Sequence, residues 1–212
     1  MVKEAQKQDR SWIVWMAIVV VAVVAAVGIA IWVQHEQIMK KVESSFAKTT
    51  DSDVAGHERF AEAYTKLTTD NVFVYRNSRE ARDILLEGSG IVFLCDPASA
   101  WCQDYALYLN EVAKNKEIKK VFYYNTPGGL KNSPDLYNEI AGIIHNNLQQ
   151  EGKDRIDVPC TVFVSKGIIV AVDTETATES ELDDVPEDYW TTERVEAFTQ
   201  RIGGFIDLID AE

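Results

Sequence analysis

Gly90 to Val112 reads GIVFLCDPASAWCQDYALYLNEV. Ile91 to Cys95 is a short apolar run ending in Cys, the pattern of a buried strand. A loop with Pro97 follows, and Cys102 stands just inside the next element. From about Ala100 to Lys114 that element reads as a helix, with Tyr105, Leu107, Tyr108, Leu109 and Val112 supplying its apolar surface. Strand, Cys-bearing turn and helix succeed one another without a linker, so any chemistry carried by the turn is held by two regular elements.

Outward from this stretch, strand and helix signals alternate. Upstream, Phe60, Ala63, Tyr64 and Leu67 form one helical stripe, and Asn71 to Tyr75 is a short strand. Ser78 to Leu86 is predicted as a helix, with Ser78 as its N-cap and Gly88 as its stop. Downstream come a strand over Val121 to Tyr124, a turn at Thr126-Pro127-Gly128-Gly129, and a helix over Pro134 to Leu148 bearing Leu136, Ile140, Ile143 and Ile144. Thr161 to Val164 and Ile168 to Val172 flank Ser165-Lys166-Gly167, a hairpin signal. A polar, acidic excursion over Asp173 to Asp188 follows, and Thr192 to Ile209 closes the chain as a helix. The order helix, β-α-β-α-β-α-β-β-α predicts an α/β fold whose mixed central sheet is flanked by helices.

The N-terminal quarter is of another kind. Trp12 to Val33 holds 22 residues without a charge. As a helix it would span roughly 33 Å, enough for a hydrocarbon core of about 30 Å. Trp12 and Trp15 at one end and Trp32 at the other suit interfacial anchors. A cleaved leader has an apolar region of about 7–15 residues, shorter than this one. The expected organisation is a tail over 1–11, a transmembrane helix over 12–33, a stalk and linker over 34–56, and a domain over 57–212. Lys3, Lys7 and Arg10 precede the segment, while Lys40, Lys41 and Lys48 follow it. The leading charges lie closer to it, which favours a cytoplasmic N-terminus and an extracytoplasmic domain in a single-pass cell-membrane protein.

The 162 residues after Thr50 carry 15 basic and 30 acidic side chains. Such a surface argues against nucleic acid and anionic lipid as docking partners; contact with the bilayer is expected through residues 12–33. His35, His57 and His145 stand apart without metal-ligand spacing, so neither a metal nor another cofactor is expected. Tyr189-Trp190 reads equally as a packed pair or an exposed patch. The three cysteines, Cys95, Cys102 and Cys160, leave at least one thiol unpaired within a monomer.

The element order, with Ser99-Ala100-Trp101-Cys102 at the helix start and Asp157-Val158-Pro159-Cys160 before the hairpin, resembles the thioredoxin-like superfamily. FLCDPASAWCQDYALYLNEVA and the following KKVFYYN look like the bacteriocin transport accessory group of bacterial thioredoxin-like proteins. The resemblance covers about residues 70 to 210. It implies a Cys-x-x-Cys at the helix start, where this chain has Ser99 first, and a cis proline at Pro159. It also implies substrate contacts at Trp101, Val158 and Pro159. Phe93 takes the position where thioredoxins often hold a buried carboxylate. A serine hydroxyl cannot replace a thiolate in disulfide exchange, but Ser99 can cap the helix. The first turn favours a Cys102 thiolate, and Asp96 and Asp104 oppose it. In this fold the cis-proline loop lies against the helix, so Cys102 could meet Cys160, and Cys95 could pair with either. A fixed disulfide or inert buried thiols is the alternative to a redox pair.

Three functions follow. The first is a binding or accessory protein for an extended, exported or surface polypeptide, using the groove beside Pro159. The second is a thiol–disulfide oxidoreductase or isomerase with Cys102 and Cys160, or Cys95, as active sulfurs and Ser99 beside them. The third is a structural subunit of a membrane complex, such as a transporter.

Overall fold

In a computed structural model, residues 51–150, 153–179 and 185–210 are described, with Trp15, Met16 and Val20. The chain divides into two units, Met1–Ser45 and Phe46–Glu212. The expected membrane span and most of the stalk lie outside the described residues. Among those described, no helix is long and apolar enough to cross a membrane.

The second unit runs α1 (Asp51–Ala63), β1 (Phe73–Tyr75), α2 (Ser78–Glu87), β2 (Gly90–Cys95), α3 (Ala100–Asn115), β3 (Val121–Asn125), α4 (Thr126–Asn132), α5 (Pro134–Leu148), β4 (Cys160–Ser165), β5 (Ile168–Asp173), α6 (Glu175–Glu179), α7 (Pro186–Tyr189) and α8 (Thr192–Asp210). The five strands form one mixed sheet in the order β1-β3-β2-β4-β5. β3 is parallel to both β1 and β2, while β4 is antiparallel to β2 and to β5.

Alternation along the strands divides the core in two. On one face Phe73, Phe93, Tyr123 and Phe163 pack with Phe60 of α1 and Tyr64 just beyond its end, Tyr105 and Leu109 of α3, and Phe198 and Ile202 of α8. On the other, Val92, Leu94, Phe122 and Val162 meet Ile84 and Leu85 of α2 and Tyr137, Ile140 and Ile144 of α5. Both faces are therefore covered, which is why β2 and β4 read as continuous apolar runs. The first face is held by rings: Phe60 stacks on Tyr64 and on Phe73 at 4.1 Å, and Tyr123 meets Phe60 edge-on at 5.0 Å.

Five local expectations are corrected. The helical stripe expected to run through Tyr64 and Leu67 stops at Ala63, where the helix ends, although both residues still reach the core from the loop that follows. Residues 51–56, read as linker, are helical, and Gly56 is buried against the backbone of β1. Asn77, not Ser78, caps α2. Its side chain accepts from Arg79 N and Glu80 N, and Glu80 Oε2 accepts from Asn77 N at 2.9 Å. Ser78 instead turns inward to Tyr124 Oη at 3.2 Å. Thr126-Pro127-Gly128-Gly129 opens α4 rather than making a turn, because Asn125 Oδ1 accepts from Gly128 N and Pro127 suits a first helical turn. Asp173, assigned to the solvated excursion, ends β5 and is buried.

The β4–β5 hairpin closes on Lys166 and Gly167, both with positive φ. A Cβ on Gly167 would lie 2.3 Å from Leu86 O, so only glycine fits beneath the end of α2. The capping box is the most easily tested of these local devices. Asn77→Ala is expected to lower the unfolding free energy by about 1 kcal/mol, read as a lower urea midpoint at unchanged slope.

Candidate functional site

β2 delivers Cys95 to the carboxyl edge of the sheet, and the chain turns there through four residues into α3. The turn is pinned at each step. Asp96 Oδ1 accepts from Ala98 N at 2.9 Å, and Asp96 O accepts from Ser99 N at 3.0 Å. Gln103 Nε2 donates to Pro97 O and to Ala63 O, both at 2.8 Å. Ser99 is the N-cap of α3, and its hydroxyl accepts from Cys102 N at 3.4 Å.

Cys95 and Cys102 are joined by a disulfide with Cα atoms 5.9 Å apart. Both are fully buried. The bond closes a short loop, for which chain entropy gives roughly 2–3 kcal/mol of stabilisation. Cys102 Sγ also accepts from Asp96 N at 3.3 Å. Of the pairings left open by the sequence, Cys95–Cys102 is therefore the one formed, and Cys160 is a buried free thiol. Asp104, expected to act on a Cys102 thiolate, is instead ion-paired with Lys66.

The Val158–Pro159 bond is cis. Pro159 is buried just beyond the last β2–β4 pair, Leu94 with Cys160, and Val158 packs partly buried against both apolar clusters. Ser99, Cys95, Cys102 and Pro159 thus share one edge of the sheet. Trp101 is 8% exposed and faces elsewhere: Tyr189 of α7 meets its ring edge-on at 5.1 Å. Arg194 lies over Tyr189, and Trp190 packs on Tyr108 at 4.6 Å. The Tyr189-Trp190 pair is therefore packed, and it brings the end of the acidic stretch back onto α3.

Phe93 stacks on Tyr105 at 5.5 Å, so no carboxylate projects from β2 at that position. A buried carboxylate does reach this part of the core from β5. Asp173 accepts from Tyr105 Oη at 2.7 Å and from Arg201 Nε at 2.9 Å, and Arg201 also pairs with Glu175. Burial first, and then the Asp173 charge, push the Tyr105 phenol well above its ordinary range. Burial likewise raises the Cys160 thiol, helped by Asp173 and Asp157. Sequence reasoning missed Tyr105, Asp173 and Arg201 as a unit; they come from three elements, and no local spacing links them.

Chemically, the edge offers no exposed nucleophile. Thiol–disulfide exchange needs a thiolate with access to a sulfur, and here both bonded sulfurs are enclosed while the third stays protonated. The Ser99 hydroxyl is engaged as a cap. No protein-family model matches the chain, and no curated protein is significantly similar to it.

Two outcomes test this geometry. Because the Cys160 pKa is raised, its thiolate fraction stays small at neutral and mildly alkaline pH. Native protein is therefore expected to take up no iodoacetamide from pH 7 to 9 by intact mass. Denaturant alone should release one label at Cys160, and denaturant with reductant three. Removing the Arg201 charge leaves Asp173 buried with only Tyr105, so Arg201→Leu should cost about 3 kcal/mol in urea unfolding.

Proposed function

We propose that this chain is a membrane-anchored thioredoxin-like protein with an extracytoplasmic domain. In this reading it serves as a binding or accessory module for exported or surface polypeptides. The sheet order β1-β3-β2-β4-β5 and the cis Val158–Pro159 bond support the thioredoxin-like part. The observation that carries the non-catalytic part is the helix start. Ser99 stands where an attacking sulfur belongs and caps α3, while Cys102 is spent in a fully buried bond to Cys95. A client segment would lie along the edge by Val158 and Pro159, adding backbone hydrogen bonds there as an extra strand does. The apolar stretch 12–33 would hold the domain at the bilayer, and a transporter complex is the natural place for such a module.

One observation favours a second reading. Cys102 sits in the first turn of α3 and already has a sulfur partner. An oxidoreductase working through Cys95 and Cys102 would have to expose that bond, because both sulfurs lie inside. Cys160 would take no part in it.

Full-length protein in detergent separates the two. Insulin reduction and oxidative refolding of reduced ribonuclease are expected to proceed at the protein-free rate, unchanged by Cys95→Ala with Cys102→Ala. A fluorescent, permanently unfolded polypeptide should bind by anisotropy, and Val158→Asp should weaken it by about tenfold, or roughly 1.4 kcal/mol. Turnover abolished by Cys102→Ala would move the assignment to the enzyme. Absence of polypeptide binding would remove the accessory role.

A further inference from the structure

A second site lies at the same carboxyl edge, two strands from the disulfide. A cavity of about 530 Å³ opens where β1 and β3 end, walled by the first turn of α2 and the corner between α4 and α5. It is lined by three arginines, Arg59, Arg76 and Arg79. After Thr50 the chain has only seven arginines, and acidic side chains outnumber basic ones two to one. Chance would give such a cluster carboxylate partners.

Among the described residues it has none. Arg82 is paired with Asp83 and Glu139, and Arg201 with Asp173 and Glu175, but no carboxylate pairs with the cavity arginines. Glu80, the acidic residue in the lining, is turned to Asn77 N in the capping box. Two of the guanidiniums are instead propped on rings and backbone. Arg59 lies 4.2 Å over Tyr75, and Arg76 lies 4.9 Å over Phe122 while donating to Tyr75 O at 2.8 Å. Stacking of this kind orients a guanidinium and leaves its remaining donors available. The wall itself is polar: Tyr124 and Ser78 bring a hydroxyl pair to it, 3.2 Å apart. Gly129 makes room for that pair, since a Cβ there would lie 1.8 Å from Tyr124 Oη.

We infer that this cavity binds a small polyanion, a molecule carrying phosphate or clustered carboxylate groups, through Arg59, Arg76 and Arg79. The volume falls in the range of small-molecule sites, about 300–1,000 Å³, and planar donor forks match both oxyanions bidentately. The inference is independent of the polypeptide-binding role, and its test uses neither the cysteines nor Val158.

The experiment is calorimetry on the full-length protein in detergent at low salt, with inorganic pyrophosphate and citrate as separate probes. Saturable binding of either is expected, and the probe that binds tells a phosphate ligand from a carboxylate one. The double variant Arg59→Gln, Arg79→Gln alters two exposed side chains and should keep the wild-type melting curve while weakening binding by about tenfold or more. Arg82→Gln, whose arginine is already paired, should leave affinity unchanged. Failure of both probes to bind, undiminished binding by the double variant, or an equal loss in Arg82→Gln would each overturn the site.

Discussion

Strand β2 is hydrogen-bonded on both sides, parallel to β3 and antiparallel to β4. The rest of the arrangement depends on that reversal. Parallel pairing brings the ends of β1, β3 and β2 to one edge, with Cys95 in register with Asn125. Antiparallel pairing then brings the beginning of β4 to the same edge, with Leu94 opposite Cys160. Residues as far apart in the chain as Tyr75, Cys95, Asn125 and Pro159 are thereby gathered along one rim. A one-residue slip in β4 would invert every side chain of that strand, and two buried faces make such a slip prohibitive.

The rim is rigid because each piece of backbone leaving the sheet is tied down at once. Asp96, Ser99 and Gln103 hold the turn after β2, and the disulfide closes it. Asn77 and Asn125 do the same for the chain leaving β1 and β3. Below the rim, Tyr123 Oη reaches Cys95 O at 3.4 Å and accepts from Tyr64 Oη at 3.2 Å, so the aromatic core extends to the disulfide itself. Rigid edges of this sort suit recognition, since little ordering entropy remains to be lost on binding.

The ionic core is placed on the opposite side of β4. Asp173 is nearly fully enclosed, yet it accepts hydrogen bonds from Tyr105 and Arg201. A lone buried carboxylate would be strongly unfavourable; this one is tolerated because α3 and α8 each bring it a donor. Its charge also helps hold the Cys160 thiol protonated, and Cys160 packs on the other face of the sheet from the disulfide.

Much of this was legible in the chain. Short apolar runs located the strands and a 3.6-residue period located most of the long helices, because a strand buried on both faces shows no alternation while a helix buried on one face repeats its apolar residues each turn. Lys166-Gly167 marked the hairpin for the same local reason: positive φ selects glycine. The capping role of the Ser99 hydroxyl was readable from residue type and position. Caps were less secure: Asn77 and Ser78 are both good cap residues, and only the inward hydrogen bond to Tyr124 decided between them. Tertiary structure alone chose Cys95 as the partner of Cys102, buried Asp173 within an acidic stretch, and set three arginines from α1, the β1–α2 turn and α2 around one cavity. Those outcomes depend on distances between residues far apart in sequence, and such distances are fixed by how helices pack across a sheet, which no local pattern encodes.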